Sequence, residues 1–201
     1  GKNSLSALTI GEYNIAVGSQ ALGVLNGSGS TNSAGNRNIG IGGYALGNLK
    51  GTHADAFSND NIAIGTEAGL AGTRGSAVPF SANIAIGSYA LDATSSNTSI
   101  GQIAIGYNAL TALTSGAGNT AIGYQAGEDI TTANNCVMIG YQAGQEHSQG
   151  SGLTAVGYRA GYDGSGHNNW GNTFFGYESG SGNWAGASNG NVAVGGGTMK
   201  G

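Results

Sequence analysis

The sequence predicts an all-β chain wound into a parallel β-solenoid. Three observations carry this prediction. One short motif recurs about ten times along the 201 residues. Within each copy, small and β-branched residues alternate with period two, the signature of a strand. Glycine supplies 41 residues, about three times its usual share, as a chain that turns often requires.

The motif reads Asn, β-branched, Ala, Ile or Val, Gly, two variable residues, Ala, then Leu or Gly. Asn119-Thr120-Ala121-Ile122-Gly123-Tyr124-Gln125-Ala126-Gly127 is a clear copy. The central glycines are Gly18, Gly42, Gly65, Gly87, Gly106, Gly123, Gly140, Gly157, Gly176 and Gly195, spaced 24, 23, 22, 19, 17, 17, 17, 19 and 19 residues apart. A fixed motif with variable spacing implies repeated turns that carry loops of different length. The residue before each glycine is Val, Ile or Phe, and the residue three before it is Ile, Thr or Val. Between them lies Ala in seven of the ten copies, with Gly40, Met138 and Phe174 as the exceptions.

Each copy is therefore expected to contain one strand of about five residues, bulky on one face and small on the other. Ten strands stacked at ~4.8 Å make a rod of roughly 48 Å. The bulky face is expected to fill the interior of the roll. The small face then either meets a partner chain or packs inside the same roll against its second wall. The first reading makes Ala63, Ala85, Ala104, Ala121 and Ala155 an oligomer interface. Leu25, Leu49, Leu113 and Ile130, each seven residues after its glycine, are candidates for inward positions of that second wall. Residues 1–201 form a single repeat array. Ser4-Leu5-Ser6-Ala7-Leu8 resembles Gly106 to Leu110 with serine in place of glycine, so the chain is expected to start within a degenerate repeat, which is either an end cap or the sign of a fragment of a longer fibre.

Two side-chain ladders follow from stacking. Asn14, Asn38, Asn61, Asn83, Asn119, Asn172 and Asn191 head their repeats and are expected to bond along the stack. Gln102, Cys136 and Leu153 interrupt that series. Tyr107, Tyr124, Tyr141, Tyr158 and Tyr177 each follow their glycine and are expected to pack on one another, with a glycan-stacking strip as the alternative.

Composition narrows function. Charged residues are 8% and hydrophobics 39%, with a net charge of −4. Six basic residues, spread out, leave no nucleic-acid footprint. No apolar run approaches the ~18 residues of a membrane span. Cys136 stands alone, which excludes an internal disulfide. Glu128 and Asp129 are adjacent, and neighbours on an extended chain point apart, which suits paired-carboxylate hydrolysis poorly. His53, His147 and His167 lack metal-ligand spacing. No enzyme activity, cofactor or metal is expected. Tyr162, Trp170 and Trp184, with His167, lie in the late inserts, where exposed aromatics could bind sugar rings or cap the last turns.

The motif copies, among them Asn83-Ile84-Ala85-Ile86-Gly87, resemble the repeats of bacteriophage tail-fibre proteins. They are also similar to the YadA-like head of trimeric autotransporter adhesins, though those heads place one more residue before the core and have more uniform turns. The resemblance implies a left-handed β-roll, a homotrimer, and an extracellular fibre on a virion or bacterial surface that attaches to a glycan or protein receptor. The expected function is a structural and attachment segment of a phage tail fibre. The alternatives are a bacterial adhesin head and a self-assembling extracellular filament.

Overall fold

The computed structural model describes residues 1–6, 11–23, 26–27, 35–51, 58–70, 79–93, 99–146, 150–162, 170–182 and 188–200. Among these the chain is an all-β parallel solenoid with no helix. Its main element is one ten-stranded sheet, a strand from each copy, stacked in sequence order. The strands are Ile15–Val17, Ile39–Ile41, Ile62–Ile64, Ile84–Ile86, Ile103–Ile105, Thr120–Ile122, Val137–Ile139, Thr154–Val156, Thr173–Phe175 and Val192–Val194. Each is three residues long, shorter than the sequence pattern suggests, because the next residue is already the central glycine bend.

Register is strict. Ala104 pairs with Ala85 and Ala121, and Ile105 with Ile86 and Ile122. Shorter parallel pieces form further walls: Phe80–Ser81, Ser99–Ile100 and Gly116–Ala117 in one, Asn26–Gly27 with Lys50–Gly51 in another. Because the strands and the turns after them stay in register at every spacing, the extra residues of long copies fall between those turns and the next asparagine.

The central glycines are required by geometry. They have φ between 118° and 142°, which L side chains rarely adopt. A Cβ on Gly106 would also lie 2.1 Å from the carbonyl oxygen of Gly123 one rung on. Two and four residues later the chain is left-handed again, as at Asn108 and Leu110 (φ 55° and 53°). Leucine at such a φ costs about 1 kcal/mol or more, which burial of its side chain offsets, at about 1.5–3 kcal/mol.

The direction of the two faces corrects the sequence expectation. The alanines face in and the β-branched residues face out. Ala63, Ala85, Ala104, Ala121 and Ala155 are buried within the single chain's core, so none of them offers a surface to a partner chain. The reason is the thinness of the roll. Opposite the strand alanines lie the buried alanines three residues after each glycine, from Ala45 to Ala160, and the leucines one further on. The gap accepts one large side chain per level. A Cβ on Gly40 would already lie 3.2 Å from Leu22 Cγ. Where the strand carries Met138 or Phe174, the fourth residue after the flanking glycines is itself glycine: a Cβ on Gly144 would lie 2.9 Å from Met138 Cγ, and one on Gly180 2.3 Å from Phe174 Cδ1. Leu49, Leu113 and Ile130 are buried as second-wall residues; Leu25 lies outside the described residues.

The chain start is also corrected. Leu5 N–H donates to Ala21 O, as Leu22 N–H does to Ala45 O, and Gln20 N–H donates to Lys2 O as Tyr44 N–H does to Ser19 O. Gly1 therefore stands in the place of Gly18, and Ser4 in the place of an alanine rather than of the glycine.

Candidate interaction surface

The asparagine ladder forms, and it acts as a clamp. The side-chain oxygen of Asn61 accepts from the backbone N–H of Asn83 (3.1 Å) and from its Nδ2 (3.2 Å). Its own Nδ2 donates to the carbonyl of Phe80 (2.8 Å). Each asparagine thus pins two points of the next turn, the residue in its own place and the one three before it. Asn38 repeats the pattern on Asn61 and Ser58, Asn119 on Cys136 and Ala133, and Asn172 on Asn191 and Ser188. Gln102 keeps both halves with a longer arm, to Asn119 N–H (3.0 Å) and Gly116 O (2.7 Å). Cys136 puts a weaker thiol in the amide's place: Sγ donates to Gly150 O at 3.5 Å, and the backbone N–H of Leu153 faces the sulfur. Burial raises its thiol pKa, so it acts as a buried packing residue.

A second column escaped the sequence reading. Two residues before the asparagines, backbone N–H groups donate to the side-chain oxygen one rung on: Glu12 to Asn36, Asn36 to Asn59, Asn59 to Ser81, Asn134 to Ser151 and Trp170 to Asn189. Short polar residues at that offset were the available signal.

Outside, the sheet presents two apolar columns. Ile15, Val17, Ile41, Ile64, Ile139, Phe175, Val192 and Val194 are exposed, and Ile84, Ile86, Ile103, Ile105 and Ile122 are half-buried. Past the glycine bend runs the tyrosine ladder. The rings of Tyr107, Tyr124, Tyr141, Tyr158 and Tyr177 stack with centroids 5.4, 5.2, 5.3 and 5.1 Å apart and planes within 14° of parallel. Each ring is 42–59% exposed. Tyr89 meets Tyr107 edge-on at 5.9 Å and ends the stack.

Of the aromatics singled out from the late inserts, Tyr162 and Trp170 lie within the described residues. Tyr162 donates its hydroxyl to Glu146, a bond that holds the phenol pKa up, and Arg159 covers its ring at 4.0 Å. Trp170 is 53% exposed. Trp184 and the three histidines lie outside the described residues. Glu128 accepts from Asn108 Nδ2 (2.7 Å) and Gln145 Nε2 (2.6 Å). Burial, then Glu128 and Glu146, raise the Asp129 pKa. Among the described residues no cluster of three or more His, Cys, Asp or Glu could hold a metal, and no helix is long and apolar enough to cross a membrane.

No protein-family model, curated protein or solved structure shows a significant match to this chain.

Proposed function

We propose that the chain is a structural and attachment segment of an extracellular fibre, of the kind that phage tails carry, assembled as a homotrimer through the outward face of the ten-stranded sheet. The observation that supports this is the pair of outward columns, Ile or Val in most rungs, with Thr120, Thr154 and Thr173 in one and Phe175 in the other. They run the whole stack, about 48 Å by roughly 10 Å at standard strand spacings. An apolar face of that extent marks an interaction surface on a water-exposed protein. Two such faces together bury about 1,000 Å², the lower bound of a specific interface. The occupant is a second copy of the same chain, because only a partner with the same rung period keeps its ridges in step along the whole length. Three chains, a left-handed roll and a surface receptor follow from the resemblance to tail-fibre and YadA-like repeats. The reading is non-enzymatic: of the adjacent acids Glu128 and Asp129, Glu128 is held by two side-chain amides, from Asn108 and Gln145.

Light scattering coupled to size exclusion tests the assembly. The unmodified chain is expected at three times its monomer mass. Ile86→Glu with Ile105→Glu should give folded monomers, because the new charges lie outside the roll. Ala104→Glu should unfold the chain instead, because it buries an unpaired charge at several kcal/mol. A monomeric mass for the unmodified chain, or an intact trimer in the double variant, defeats the proposal.

A further inference from the structure

The tyrosine ladder carries an inference of its own. Its rings spend their faces on one another, so a ligand meets a row of exposed phenol edges. That row is straight, five residues long and nearly constant in period, from 5.1 to 5.4 Å. Beside it, one residue further along each turn, stand Asn108, Gln125, Gln142, Arg159 and Glu178. Gln142 Nε2 donates to Gln125 Oε1 at 3.0 Å, so this column is itself ordered along the axis. Amides offer donor and acceptor side by side, the pattern that vicinal hydroxyls require. The half-buried Ile105, Ile122 and Val156 on the other side of the glycine bend supply apolar contact for C–H surfaces. The first four rungs lack the tyrosine: the position after the glycine holds Ser19, Gly43, Thr66 and Ser88.

We infer that the ladder and the polar column beside it form a binding strip for an extended, equatorially linked neutral polysaccharide, one sugar per rung. A β-1,4-linked pyranose chain is a flat ribbon that advances by about one rung of this ladder per sugar, so successive rings meet successive phenols, with amides beside the first three and Arg159 and Glu178 beside the last two. An α-linked chain curves out of register after two or three rings. The chain's net charge of −4 argues against a polyanionic glycan. This inference rests on the attachment reading and names the ligand class for it.

Calorimetric titration of the full chain with cellohexaose and chitohexaose tests it, with maltohexaose as the curved control. At least one of the two extended sugars is expected to bind, and maltohexaose not. Affinity for the extended series should rise with length up to about five sugars, one per stacked tyrosine, and then level off. Tyr124→Phe with Tyr141→Phe keeps the stack and removes two hydroxyls, which should weaken binding about tenfold. Tyr44→Phe, outside the ladder, should change nothing. Absence of binding to both extended sugars, equal binding of maltohexaose, or unchanged affinity in the double Phe variant overturns the inference. The oligomeric mass of the same sample separates the two proposals. A trimer that binds no sugar sinks the strip alone, and a monomer that binds sugar sinks the assembly alone.

Discussion

The early rungs, from Gly18 to Gly87, and the later ones, from Gly106 to Gly176, hold the same cross-section by different means. In the early rungs every turn is clamped from inside by an asparagine that bonds two points of its successor. Outside, the position after the glycine is small, and spacings reach 24 residues. In the later rungs spacing falls to 17 or 19, the clamp persists at Gln102, Asn119 and Asn172 but weakens at Cys136 and is lost at Leu153, and an aromatic ladder appears outside. A stacked tyrosine pair contributes about 0.5–1.5 kcal/mol beyond burial, and a typical hydrogen bond about 1 kcal/mol. The two devices are of similar size, so one can replace the other. The inner clamp ties a corner whose preceding loop is long. The outer ladder runs through the rungs where the inner tie weakens or is lost, and it leaves a decorated surface.

The largest effect that separates the two regions comes from the clamp. Asn61→Ala removes the acceptor for Asn83 and the donor for Phe80 in a buried site, and should cost about 2–4 kcal/mol. Cys136→Ala should cost under about 1 kcal/mol, because only a weak thiol bond is lost there. Cys136→Asn rebuilds both halves of the clamp in the later region and should stabilise by about 1 kcal/mol. Urea midpoints at unchanged m-value measure all three. Equal losses in Asn61→Ala and Cys136→Ala would erase the contrast.

The pattern of the repeat was legible in the sequence, and its sense was not. Period-two alternation says that two faces differ. It does not say which one is inside. The usual rule places bulk inside, and here it fails because Ala104 and Ala121 face a wall of alanines and leucines close by. The deciding signal was a compensation in size: Leu22, Leu46, Leu91 and Leu110 accompany Ala or Gly on the strand, whereas Gly127, Gly144, Gly161 and Gly180 surround Met138 and Phe174. The asparagine and tyrosine ladders were legible because each needs only one residue type at one offset. The polar column from Asn36 to Asn189 uses Asn and Ser interchangeably at positions between glycines, and was lost among turn residues.

That compensation is itself testable, and its effect is intermediate. Gly144→Leu alone should overpack against Met138 and Leu153 and cost about 1–3 kcal/mol. Met138→Ala alone leaves a cavity. Together they restore the pairing of Ala104 with Leu110, since leucine already takes the left-handed backbone there (φ 53°). The double variant should therefore be more stable than the sum of the singles by about 1–2 kcal/mol. Strict additivity would mean that the two positions do not share one space.

The smallest effect concerns charge, and it contrasts one acid from each region. In the early rungs Arg37 donates from Nε to Asp60 Oδ1 at 2.6 Å and holds that carboxyl below its ordinary range. In the Gly123 rung Asp129 lies above the ordinary range, because burial and then the neighbouring Glu128 and Glu146 disfavour its charge. An acid whose folded pKa is raised binds its proton more tightly in the folded state. Its contribution to stability therefore falls as pH rises from the ordinary aspartate value through the raised folded one, and stays low above that window. At about pH 7 the charged Asp129 is a small burden, and Asp129→Asn should raise the melting temperature. As the pH falls below the raised folded value the wild-type carboxyl is protonated when folded, and the advantage of the variant should shrink toward zero. Asp60→Asn should behave with opposite sign, costing a little at neutral pH and less as the pH falls through the ordinary value. Melting curves of both variants against the unmodified chain across that range decide the matter. A difference for Asp129→Asn that stays constant from neutral to acid would show that its carboxyl is solvated like any surface acid.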